Sequence, residues 1–69
     1  MNNEIVFIIE EDEEGYFIAR AVGQSIHTDG ETLTELRNNI KEAVLCHFED
    51  GEAPKTIRLH FVKEELLTV

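Results

Sequence analysis

EIVFIIEEDEEGYFIARAV, residues 4–22, decides the fold. Runs of β-branched and aromatic residues at 4–10 and 16–22 flank an acidic stretch closed by Gly15, the pattern of a β-hairpin. The first run is apolar on both sides of a strand, because Ile5, Phe7 and Ile9 alternate with Val6 and Ile8. Moving outward, Gly23 breaks the pattern, SIHT at 25–28 reads as a short third strand, and Asp29-Gly30 reads as a turn. An antiparallel meander follows.

Thr32 stands three residues before Glu35, the spacing at which a hydroxyl and a carboxylate satisfy free backbone donors at a helix start. Leu33, Leu36, Ile40, Ala43, Val44 and Phe48 then recur at helical intervals, which predicts an amphipathic helix over about residues 33 to 49. Asp50-Gly51 and Pro54 end it. TIRLHFV, residues 56–62, alternates Ile57, Leu59 and Phe61 with Arg58, His60 and Val62, as a fourth strand does. The tail KEELLTV, residues 63–69, fits a last helical turn or a further strand equally well. The expectation is an α+β protein, a single domain over residues 1–69. Its architecture is a two-layer β-β-β-α-β arrangement, an antiparallel-rich sheet with one helix on one face.

A single helix shields only one face of that sheet. Ala19 and Ala21, small residues beside Phe17, let the helix approach closely, and Val6, Ile8, Ile18 and Tyr16 are left on a face that needs other cover. A domain this size rarely gains more than about 3–5 kcal/mol from its own core. A homodimer or higher oligomer is therefore predicted, through Val6, Ile8, Ile18, Leu66 and Leu67, with 63–69 as a segment that two copies exchange.

Fifteen acidic against six basic side chains give a formal charge of −9. That balance argues against direct nucleic-acid binding, which depends on Lys and Arg neutralising phosphates, and favours a basic partner. Glu10 through Glu14 are consecutive carboxylates, either a solvated hairpin turn or a patch that attracts a cationic protein or mimics its phosphate ligands. Glu11, Asp12, Glu13, Glu14 and Tyr16 are the candidate partner-binding residues. Adjacent carboxylates on a turn do not form a converging oxygen cage, so no metal is assigned to them.

Cys46 is the only cysteine, which excludes an intrachain disulfide and a multi-cysteine zinc site and points to a reducing, cytoplasmic compartment. No basic leader opens the chain, and no apolar run approaches the roughly 20 residues of a membrane span. His27, His47 and His60 lie in no catalytic motif. Cys46 and His47 would diverge by about 100° on a helix, a poor metal pair. His47 reads as a partly buried, hydrogen-bonded residue at the core edge, and His60 shares a strand face with Arg58, a cationic pair that is either simply solvated or meets carboxylates of a neighbouring chain. There is no glycine-framed nucleophile and no phosphate loop, so neither an enzyme nor a cofactor is indicated.

DEEGYFIARA and TDGETLTELRNNIKEAV together resemble the HicB-like antitoxin family. Glu14, Gly15 and Tyr16 match its acidic-glycine-aromatic opening of the second strand. Gly30, Glu31, Thr32, Glu35, Asn39, Glu42 and Ala43 match its later signature, so the resemblance covers about residues 4 to 50. It implies a domain similar to a partial ribonuclease H fold, without catalytic residues, that masks a small basic HicA-like toxin. Such toxins look like double-stranded-RNA-binding domains and cut messenger RNA with a histidine. Val22-Gly23-Gln24-Ser25 stands where that family commonly carries a Pro-acidic-Leu-Pro-Gly segment, and no helix-turn-helix or ribbon-helix-helix module follows. The resemblance is thus to a short, divergent member without a DNA-binding module.

Three functions are compatible with these residues. The first is an antitoxin-type binding module. The second is an orphan oligomeric domain that binds a protein or small molecule through the uncovered sheet face. The third is a small enzyme assembled at a subunit interface from His27, His47 or His60.

Overall fold

The computed structural model describes residues 3–63 and 65–69. In chain order the elements are β1 (Glu4–Glu11), β2 (Phe17–Ala21), β3 (His27–Gly30), α1 (Leu33–His47) and β4 (Thr56–Phe61). The four strands form one mixed sheet in the order β3-β2-β1-β4. β1 pairs antiparallel with β2, and β2 with β3, which is the meander the turns imply. β4 instead lies parallel to β1 on the opposite side from β2, with Ile5 beside Ile57 and Phe7 beside Leu59. A parallel neighbour requires a crossover, and α1 is that connection.

Alternation on β1 sorts the faces. Ile5, Phe7 and Ile9 are buried with Ala19, Ile26, Leu36, Ile40 and Val44 in the core, and Val6 and Ile8 point to the other side, where they are half-buried. Ala19 is fully buried beneath the helix, consistent with the small side chain that close approach requires. β1 runs one residue further than the sequence suggests, to Glu11, β2 is one residue shorter at each end, and β4 stops at Phe61 rather than Val62; the larger differences lie at β3, at the end of the helix and in the tail.

Asp29 and Gly30 do not make a turn; they complete β3, which starts at His27 rather than Ser25, opposite Ile18 and Phe17. Gly30 is buried where strand and helix nearly touch, and a Cβ placed there would sit 2.7 Å from the Leu36 nitrogen and 2.9 Å from its Cα. The helix ends at His47 rather than residue 49 because Phe48 leaves it in an extended conformation, with its N–H still bonded to the Val44 carbonyl, and packs against the core. The tail at 65–69 forms neither a helical turn nor a strand, although Val62 N–H still donates to the Ile9 carbonyl just past β4.

At the start of α1, the Thr32 Oγ1 accepts from the Glu35 N–H at 3.1 Å. The return bond runs one residue further out than in a standard capping box, with Glu35 Oε1 accepting from the Glu31 N–H at 3.2 Å. Asn39, from the middle of the helix, donates its Nδ2 to the Asp29 carbonyl at 2.8 Å and ties the helix to β3. α1 lies against β3 and β2 and leaves β4 on its flank, so Ile57 and Leu59 are half-buried and Phe61 is 50% exposed.

Candidate partner-binding surface

The acidic stretch is a tight hairpin end. Gly15 N–H donates to the Asp12 carbonyl at 3.1 Å, and Asp12 N–H donates to the Tyr16 carbonyl at 2.8 Å. Gly15 has φ +91°, the left-handed conformation that closes a three-residue hairpin loop after a type I turn. Asp12 stabilises this geometry itself, since its Oδ1 accepts from the backbone N–H of Glu14 and of Tyr16, both at 2.9 Å. This is the Asx pattern in which a short carboxylate replaces missing ladder partners. Glu11, Glu13 and Glu14 are exposed around it.

Tyr16 sits one step before β2. The Phe17–Gly30 pair sets the register, so the next residues outward, Tyr16 and Glu31, meet, and the phenol donates to Glu31 Oε1 at 3.0 Å. This contact brings Glu31, and Glu35 in the first helical turn, to the same end of the molecule as the turn carboxylates. The Tyr16 pKa is raised above 10.0, chiefly by its hydrogen bond to Glu31 and that residue's charge, then by Asp12 and Glu35 among smaller causes. Glu31 is the member of this surface that sequence reading misses, because it enters through strand register rather than proximity in the chain.

An ultraviolet titration checks this geometry cleanly, because Tyr16 is the only tyrosine. The phenol ionises above the ordinary value of about 10 in the wild type and moves back toward it in Glu31→Gln. A phenol raised in the folded state adds stability below the unfolded value, and that contribution disappears as pH rises through the folded value. An unchanged titration in Glu31→Gln would disprove the contact.

The open sheet face is mixed rather than greasy throughout. Val6, Ile8, Ile18 and Val22 form its apolar middle, and ion pairs border it: Arg20 with Glu10 at 2.6 Å and Arg58 with Glu4 at 2.9 Å. Arg58 thus pairs with a carboxylate of its own chain. Exposed pairs like these contribute little to stability, but Arg20 does neutralise the innermost carboxylate of the acidic run. Leu66 and Leu67, the other residues assigned to an oligomer contact, are 94% and 82% exposed.

His27, on β3, and His47 line one shallow concavity together with Ser25 and Cys46, and His60 lies apart on β4; His27 and His60 are both exposed. His47 is exposed too, not partly buried; its Nε2 lies 3.3 Å from Gln24 Oε1 and its ring meets Phe48 edge-on at 5.0 Å. The helix ends at this residue, so Phe48 occupies the core edge in its place. Among the described residues, no three of His, Cys, Asp and Glu converge to hold a metal ion, and no helix is long and apolar enough to cross a membrane.

The chain is similar to proteins of two organisms. A UPF0150 protein of Thermotoga maritima is 47% identical over 66 residues, 96% of this chain and 93% of that protein. A UPF0150 protein of Archaeoglobus fulgidus is 51% identical over 51 residues, 74% of this chain and 76% of that protein. No family model matches the chain, and no solved structure matches it.

Proposed function

The chain belongs to the UPF0150 family, and we propose that it is a non-catalytic, antitoxin-type binding module that masks a small, basic, mRNA-cleaving toxin in the cytoplasm. The observation that carries this reading is the acidic end, where the turn carboxylates and Glu31 are gathered on one rigid, exposed surface of a chain with net charge −9. A cationic protein meets there the charge pattern it would otherwise find in RNA phosphates, which speeds encounter and selects the partner. The resemblance of residues 4–50 to the HicB-like pattern suggests the same partner class, and Gly15, Thr32 and Asn39 hold the surface in shape through a turn, a cap and a strand contact.

The proposal predicts that an adjacent reading frame encodes a small basic protein, and titration calorimetry against that protein tests it. It predicts a defined complex that weakens as salt rises. The absence of heat at physiological salt refutes it and favours the second reading, a domain whose ligand lies on the open face around Ile8 and Ile18.

A further inference from the structure

Away from the acidic end, α1 and β4 enclose a groove lined by Arg37, Ile40, Lys41, Ile57 and Leu59. Its volume is about 170 Å³, and at roughly 30 Å³ per water-sized group it holds about a leucine side chain and a little more. The floor is apolar and the helix side carries two of the chain's six Lys and Arg residues. Beside it, β4 is an edge strand, with β1 on one side and no strand of the described residues on the other. An unpaired strand edge next to an apolar slot is a template for an added strand.

The chain contains a segment suited to both. Residues 65–69, Glu-Leu-Leu-Thr-Val, are exposed and lie outside any helix or strand. As a strand they would alternate, with Glu65, Leu67 and Val69 on one face and Leu66 on the other. That places an acid two residues before a leucine, which matches a slot that is apolar below and cationic along its rim. One observation directs the segment to another molecule. Residues 62–69 contain no Gly, Pro, Asn or Asp, the residues that reverse a chain tightly, so a return onto their own β4 lacks turn chemistry.

We propose that residues 65–69 of a second copy add as a strand to the free edge of β4, seating Leu67 in the α1–β4 groove with Glu65 beside Arg37 and Lys41, and that two copies exchange tails reciprocally. Leu66 then covers the opposite side of the strand, next to the open face. This surface is separate from the acidic end, so partner binding and self-association stand or fall independently.

Sedimentation velocity of the full chain at physiological salt, from about 1 to 100 μM, tests the exchange. The wild type sediments as a dimer, and Leu67→Asp raises the dissociation constant at least about tenfold. Leu67 is 82% exposed, so this variant keeps the fold, as its circular dichroism will show. Lys41→Glu weakens the dimer, and adding Glu65→Lys to it restores most of the affinity. A wild type that stays monomeric overturns the proposal. So does a dimer indifferent to Leu67→Asp, which would assign the interface to Val6, Ile8 and Ile18. Protection of amides 66–69 from hydrogen exchange that is independent of protein concentration overturns it as well, because the tail would then be covering its own groove.

Discussion

Gly30→Ala removes half or more of the protein's stability. The new Cβ would lie 2.7 Å and 2.9 Å from the nitrogen and Cα of Leu36, backbone atoms that cannot swing aside as a side-chain end can. Relief requires α1 to lift from β3, yet the Asn39 bond to the Asp29 carbonyl holds it there, and the same helix supplies Leu36, Ile40 and Val44 to the core. Overpacking ordinarily costs about 1–3 kcal/mol, occasionally more, and a backbone clash belongs at the upper end. Against a net stability of about 3–5 kcal/mol for a domain of this size, that loss moves the urea midpoint by half or more. Gly51→Ala is the control: φ there is +80° and the space around it is open, so only the cost of a left-handed alanine applies, about 1 kcal/mol. Equal midpoints for the two variants at one protein concentration would mean that strand and helix are not in close contact at Gly30.

Neutralising the acidic end has the second large effect. Glu11→Gln, Glu13→Gln, Glu14→Gln and Glu31→Gln combined remove four charges while sparing Asp12, whose Oδ1 holds the turn, and Glu10, which is paired with Arg20. All four side chains are exposed, and the amide oxygen that Glu31→Gln introduces can still accept from the Tyr16 phenol, so the fold persists. Affinity for the basic partner falls by about 100- to 1,000-fold, roughly 3–4 kcal/mol, with much of the loss in the association rate. The salt dependence of binding shrinks with it. A quadruple variant that binds as tightly as the wild type, with the same salt dependence, shows that the partner docks elsewhere.

Much of the fold is legible in the sequence because local chemistry and tertiary demand agree. The glycine-closed acidic turn, the Thr32 cap and the alternation at 56–62 each specify their element in place. Asp29-Gly30 is different. Its turn propensity is real, but pairing with Ile18 and Phe17 and the nearness of Leu36 decide its conformation, and neither is encoded within a few residues. The position of β4 parallel to β1 is likewise set by where α1 delivers the chain, and TIRLHFV alternates identically in either direction. Most of the candidate surface is visible in the sequence as the acidic run and Tyr16. Glu31 is not, since fifteen residues separate it from Tyr16 and only the β2–β3 register joins them. The open face proves less apolar than the first strand alone implies, because Arg20 and Arg58 reach across it to Glu10 and Glu4 from strands whose neighbours a linear reading does not identify.

The most direct test of the masking role is cleavage of messenger RNA by the small basic toxin that the proposal requires as partner, titrated with this protein. If the acidic end covers the toxin, cleavage falls in proportion to added protein and ceases near equivalence, and the quadruple glutamine variant fails to stop it. Cleavage that continues undiminished in excess wild-type protein contradicts the account.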